Sequence, residues 1–156
     1  MSIETLMIGA GCFWGVELDF SQQQGVIDTA VGYAGGHTDS PTYEEVCRKE
    51  TMHAEVVLMH FDNQKTTRQI LLNHFFAMHN PTTLNQQGPD RGTQYRSVIF
   101  YDNQAEKDLA ELVMSQQQAG FSQPIVTTLE PMAKFWRAEE YHQQYFKKRG
   151  ISQGCH

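Results

Sequence analysis

A short apolar run, Thr5-Leu6-Met7-Ile8, ends in Gly9-Ala10-Gly11 and leads at once into residues with helical apolar spacing. From Cys12 to Gln22, Trp14 pairs with Leu18, and Phe13 with Val16 and Phe20, on faces that a 3.6-residue period brings together. A strand that must turn into a helix across two glycines constrains the fold strongly. It demands a sheet with a helix packed back onto it, and it leaves Cys12 at the junction.

The rest of the chain repeats this alternation. Val26 to Ala34, Ala54 to Phe61, Tyr95 to Tyr101 and Ile125 to Leu129 read as further strands. Thr42 to Cys47 reads as a short helix, and Thr66 to Met78, Asn103 to Gln118 and Ala138 to Lys148 as longer ones. This order predicts an α+β protein, a two-layer α/β sandwich in which helices cover a mixed sheet. Asn80 to Gln94 is a long polar loop of the kind that carries function in compact domains. With no repeat, charge block or linker in 156 residues, residues 1–149 are expected to form a single catalytic domain. Residues 150–156, with two glycines and no apolar period, are expected to be a flexible tail.

A formal net charge of -6 gives no electrostatic footprint for nucleic acid or for anionic lipid. No apolar run is long enough to span a bilayer, and the opening Met1-Ser2-Ile3-Glu4-Thr5 lacks the order of a secretory signal. The expectation is therefore a cytoplasmic protein with no membrane or nucleic-acid partner, and a monomer by default. Three cysteines, Cys12, Cys47 and Cys155, are too few and too widely spaced for a disulfide framework, and no CxxC pair occurs. They are working thiols or inert core residues. Seven histidines are scattered, and His74 and His79 fall on different helix faces, so no metal site is expected.

Three patches carry chemistry. In Gly9-Ala10-Gly11-Cys12-Phe13-Trp14-Gly15 the glycines fail the dinucleotide-binding spacing, because Trp14 stands where the third glycine belongs. The better reading places Cys12 in the first turn of a helix, where unpaired N–H groups and the helix dipole favour a thiolate. Phe13 and Trp14 beside it suit a substrate with a methyl or thioether end, or they are simply core aromatics. In His53-Ala54-Glu55-Val56-Val57, an acid interrupts an apolar strand. Glu55 either lies on the solvent face or sits in an apolar cleft, where a raised pKa would make it a general acid. In Asp90-Arg91-Gly92-Thr93-Gln94-Tyr95-Arg96-Ser97, a polar loop leads into a strand and Tyr95 could donate to a substrate oxygen. Cys155, next to the C-terminus, could condense with an oxidised Cys12, since a sulfenic acid forms a disulfide with a nearby thiol.

These patches, in this order, resemble the A-type peptide methionine sulfoxide reductases. The matching stretches are GCFWGVE (Gly11–Glu17), GYAGG (Gly32–Gly36), PTYEEVC (Pro41–Cys47), HAEVV (His53–Val57), DRGTQYRS (Asp90–Ser97) and AEEYHQQYF (Ala138–Phe146). The resemblance implies a ferredoxin-like α/β sandwich and reduction of methionine S-sulfoxide, free or in proteins. It implies Cys12 as nucleophile, Glu55 as acid, and Tyr43 and Tyr95 as donors to the sulfoxide oxygen. Phe13 and Trp14 would hold the methyl group, Asp90 would order the polar side, and Cys155 would resolve the sulfenic acid. No bound cofactor is implied; the electrons would come from an external thioredoxin-like reductant. Cys47 is expected to be a buried structural thiol. The chain departs from the family pattern at Met52, where a glycine is usual, at Arg48-Lys49, where Ser-Gly is usual, and at Gln153-Gly154-Cys155, where the ending is usually Gly-Tyr-Cys. Three other readings use the same residues: a thiol peroxidase, a Cys–His hydrolase with His53 as base, and a binding module without catalysis.

Overall fold

The computed structural model describes residues 2–48 and 51–150. In chain order the elements are β1 (Ile3–Ala10), α1 (Phe13–Ser21), β2 (Val26–Ala34), α2 (Tyr43–Arg48), β3 (Ala54–Asp62), α3 (Arg68–Met78), β4 (Gln86–Gln87), β5 (Asp90–Arg91), β6 (Ser97–Tyr101), α4 (Gln104–Gln118), β7 (Thr128–Pro131), β8 (Trp136–Arg137) and α5 (Tyr145–Lys148). Single 3-10 turns cover Thr93–Tyr95 and Glu140–His142. The main sheet runs β7-β6-β1-β3-β2-β8. All neighbours are antiparallel except β6 and β7, so the sheet is mixed. Its central four strands, β6-β1-β3-β2, with α1 and α3 as crossovers, have the split βαβ arrangement of a ferredoxin-like fold, as expected.

Helix starts follow from their caps. The Thr67 hydroxyl accepts from the Ile70 N–H at α3, and the Asn103 side chain accepts from the Glu106 N–H at α4. On one sheet face, Leu6, Ile8 and Ala10 of β1, Val31 and Tyr33 of β2 and Val57, Met59 and Phe61 of β3 pack under Phe13, Phe20, Leu72, Phe75 and Phe76 of the helices. On the other, Met7, Ala54, Val56, Val98 and Phe100 are covered by Met132, Ala133 and Phe135. The sheet centre is thus buried on both sides, and β1 and β3 carry almost unbroken apolar runs instead of strict alternation. No described helix is long and apolar enough to cross a membrane.

Three expectations need correction. Residues 138–148 are not one helix: a 3-10 turn at Glu140–His142 is followed by a break, with Gln144 in the left-handed region at φ 53°, ψ 38°, and only then by α5. The break is held by tertiary hydrogen bonds: Gln143 uses its amide on the Val31 backbone as a strand residue would, donating to the Val31 carbonyl at 2.8 Å and accepting from its N–H at 2.9 Å. Tyr95 closes a 3-10 turn and does not begin a strand. Cys47 is an exposed thiol on α2, not a buried one.

Candidate active site

Gly11 adopts φ 99°, a conformation that residues with a Cβ rarely take, and so turns β1 into α1. Gly9 is required for a different reason: a Cβ there would lie 2.8 Å from Val98 Cγ1 and 3.0 Å from the Glu55 carbonyl oxygen. The turn leaves Cys12 half-buried at the N-cap of α1, at the positive end of that helix.

Glu55 lies on the same strand face as Val57, Met59 and Phe61, which points it into the helix-covered core, and only 1% of its surface is exposed. Its Oε1 accepts the backbone N–H of Phe13 at 3.2 Å, so the carboxyl sits against the first turn that Cys12 caps. Its Oε2 is buried with no hydrogen-bond partner. Burial pushes the carboxyl up to about 8; the Phe13 N–H pulls the other way and the Asp90 carboxylate adds to the rise. At neutral pH the group is a protonated acid with one uncommitted oxygen.

Around it stand the phenols. Tyr95, at the end of its 3-10 turn, is pushed above its ordinary value by burial first, then by the fields of Glu55, Cys47, Asp90 and Cys12. Tyr43, the first residue of α2, is raised by burial, by a hydrogen bond between its hydroxyl and the Cys47 thiol, and by the fields of Cys47, Glu55 and Tyr95. Both are therefore O–H donors at any physiological pH. Asp90 is held in the β4–β5 hairpin, opposite Gln87. Cys12, Tyr43, Glu55 and Asp90, singled out from the sequence, are thus each within electrostatic reach of Tyr95. Cys155 lies outside the described residues.

The aromatic side is larger than expected. Phe13 is buried against Tyr33, Tyr43 and His142, with ring centroids 5.7, 6.4 and 5.2 Å away. Trp14, half-buried, stacks on Tyr145 at 3.7 Å and 6° and donates its Nε1–H to His142 Nδ1 at 2.9 Å. Burial keeps His142 below the ordinary histidine value, against the pull of Glu139. A neutral ring that accepts at Nδ1 carries its proton on Nε2, which is buried and unpartnered. Glu139 ties this side to the phenols: its carboxylate accepts the Tyr33 hydroxyl at 3.1 Å and the Tyr43 N–H at 3.1 Å. Partial burial would raise Glu139, but a hydrogen bond from its own backbone N–H, those from the Tyr43 N–H and the Tyr33 hydroxyl, and the field of His142 together outweigh it and hold the carboxyl low.

Tyr33, Glu139, His142 and Tyr145 were missed as site residues. The signal for Glu139, His142 and Tyr145 was the AEEYHQQYF stretch, and for Tyr33 the GYAGG stretch; helical or strand spacing alone connects neither to Cys12. His53 is not placed as a base, because its ring is fully used on backbone: Nδ1 accepts the Gly36 N–H at 3.0 Å, and Nε2 pairs with the Thr38 carbonyl at 2.7 Å. It pins the loop that delivers Tyr43. Among the described residues, no group of three or more His, Cys, Asp and Glu side chains is placed to hold a metal ion.

A thiol at a helix N-terminus, a protonated carboxyl, two phenols and an aromatic wall suit a substrate with a polar oxygen to be protonated beside an apolar group. Comparisons with known proteins agree. The model of the family described as peptide methionine sulfoxide reductase matches residues 4–156. The peptide methionine sulfoxide reductase MsrA of Acidobacterium capsulatum is 53% identical over 150 residues, covering 95% of this chain and 96% of the relative. The crystal structure of Mxr1 from Saccharomyces cerevisiae in reduced form superposes with a TM-score of 0.88 at 37% identity, over 98% of this chain and 89% of that one. The structure of Mxr1 in complex with Trx2 is similar with a TM-score of 0.64 at 26% identity, over 92% of this chain and 84% of that one. This chain belongs to the peptide methionine sulfoxide reductase family and is an oxidoreductase, a peptide-methionine (S)-S-oxide reductase.

Proposed function

We propose that Cys12 attacks the sulfur of a methionine S-sulfoxide, free or in an oxidised protein, while Glu55 gives its proton to the sulfoxide oxygen. The oxygen passes to Cys12, the substrate sulfur gains two electrons and leaves as methionine, and the thiol is oxidised to a sulfenic acid. Sulfoxide oxygen is a poor leaving group until protonated, so a thiolate alone does not suffice. The observation that carries the reading is Glu55: buried, protonated near neutral pH, bonded to the helix turn that Cys12 caps, and left with a bare Oε2. Tyr43 and Tyr95 donate hydrogen bonds to the same oxygen, and Asp90 supports the acid by raising it further. Phe13 and Trp14 take the methyl group.

The resemblance also suggests the recycling step. The Cys155 thiol attacks the Cys12 sulfenic acid, releasing water and forming a disulfide, and a thioredoxin-like dithiol reduces that bond. The relative Mxr1, crystallised with Trx2, supports the choice of reductant. On this reading the protein repairs oxidised methionine and needs no bound cofactor.

The test is turnover of resolved R and S methionine sulfoxide with dithiothreitol, comparing wild type with Cys12→Ser. Methionine from the S epimer alone, abolished in the variant, is the expected result. A folded Cys12→Ser protein that still makes methionine contradicts the assignment.

A further inference from the structure

Glu17 lies one turn beyond Trp14 on α1 and is 1% exposed, yet it takes no part in the chemistry above. Its carboxylate is fully engaged. Oε1 accepts the backbone N–H of Gln144 at 2.7 Å, and Oε2 accepts the Thr29 hydroxyl at 2.9 Å and the Gln144 side-chain N–H at 3.0 Å. Gln144 also turns its amide toward Thr29 Oγ1, at 3.0 Å. A buried carboxylate is costly to desolvate, and an apolar residue would fill this space more cheaply, so its presence calls for a reason beyond packing.

The reason lies in what flanks Gln144. This residue holds a left-handed conformation, φ 53° and ψ 38°, that a glutamine avoids unless its surroundings impose it. Two residues earlier, His142 takes the indole N–H of Trp14 at 2.9 Å. One residue later, Tyr145 lies flat on the indole at 3.7 Å, with Phe146 at 6.4 Å edge-on. The break keeps His142 at the edge of the ring and Tyr145 over its face. The geometry points to Glu17 and Gln144 as a positioning clamp: by fixing the backbone break against the helix that carries Trp14, they set the plane of the indole that receives the substrate methyl group. This inference rests on the proposed role of Trp14; neither clamp residue touches substrate.

The test compares Gln144→Ala, Gln144→Gly and Glu17→Gln in the full chain. The readouts are KM and kcat for methionine S-sulfoxide with dithiothreitol, and acrylamide quenching of Trp14 fluorescence in a Trp136→Phe background. A mobile indole binds substrate and transition state equally poorly, so Gln144→Ala raises KM about tenfold with kcat within about twofold of wild type. Quenching of Trp14 increases in parallel. Gln144→Gly, which accepts the left-handed backbone and keeps the N–H to Glu17, recovers part of both losses, and Glu17→Gln falls between. A purely structural role would lower the folded, titratable fraction and hence kcat alone. That result, or KM and quenching unchanged in Gln144→Ala, overturns the clamp. If wild type makes no methionine from either epimer, the reading of the reaction fails instead, and the quenching arm still decides the clamp.

Discussion

On the proposed reading Glu55 is the acid, and its protonation sets the pH range. The carboxyl is raised to about 8 by burial, so the acid form that the proposed mechanism requires is present below that pH and is lost above it. The kcat of the reductive half-reaction should therefore fall as pH rises through about 8. Glu55→Gln still accepts the Phe13 N–H but transfers no proton; its kcat should drop by roughly 100- to 10,000-fold and lose that alkaline limb. An unchanged alkaline limb in the variant assigns the limb to another group. The same shift affects stability: with the folded value above the unfolded one, Glu55 favours folding fully only below its ordinary range, and that contribution is lost as pH rises toward about 8. Thermal melts should show Glu55→Gln gaining on wild type between pH 5 and pH 8. Periodicity left the burial of Glu55 open because β3 is covered on both faces, so no alternation marks which side is solvent. Met52 shows the reverse, a departure in the sequence with a physical meaning. It stands at φ 63°, where the family usually has glycine. Relief of the left-handed cost, about 1–2 kcal/mol, less the entropy of an added glycine, about 0.5–1 kcal/mol, should make Met52→Gly more stable by about 0.5–1 kcal/mol in urea unfolding.

Among the elements, what was legible was what local chemistry determines. Val26 to Ala34 forms the predicted strand, and Thr67 and Asn103 start the predicted helices as side-chain caps. What was not legible is held by contacts distant in sequence. The loop after α3 folds into the β4–β5 hairpin through side-chain bonds that leave no periodic trace, with Gln87 accepting from the Asn80 N–H at 2.9 Å and donating to its carbonyl at 2.8 Å. Arg96 braces the end of that loop. Its guanidinium donates to the Met52 and Thr93 carbonyls, each at 3.0 Å, and to the Glu130 carboxylate at 3.2 Å. One side chain thus joins the entry to β3, the turn that presents Tyr95, and β7. Arg96→Ala should cost about 2–3 kcal/mol in urea unfolding, since the carbonyls and the Glu130 carboxylate lose a charged partner. Arg96→Lys should recover only part of this, because an ammonium lacks the planar fork. A loss below 0.5 kcal/mol, the level of an ordinary surface change, would show that the brace is not needed.

At the scale of the molecule, the sheet order explains why residues far apart in sequence meet. β1 and β3 are neighbours at the centre, so the turn after β1 and the start of β3 lie at the same sheet end, bringing Cys12 beside Glu55. β6, on the other side of β1, brings the Tyr95 turn to the same end, and β2 carries Tyr33 there, opposite Glu55. The segment after β8 then returns over α1 to close the aromatic side. The helix-covered sheet was readable from the order of elements, but this convergence depends on a strand order that no local pattern encodes. The central claim is that Cys12 itself takes the oxygen. It is tested most directly by a single turnover of Cys155→Ser with methionine S-sulfoxide, with no reductant present. The account predicts one methionine per enzyme, together with a gain in mass of one oxygen atom on Cys12 that dimedone traps. Methionine formed with no oxidation of Cys12, or an oxygen found on Cys47 instead, would contradict it.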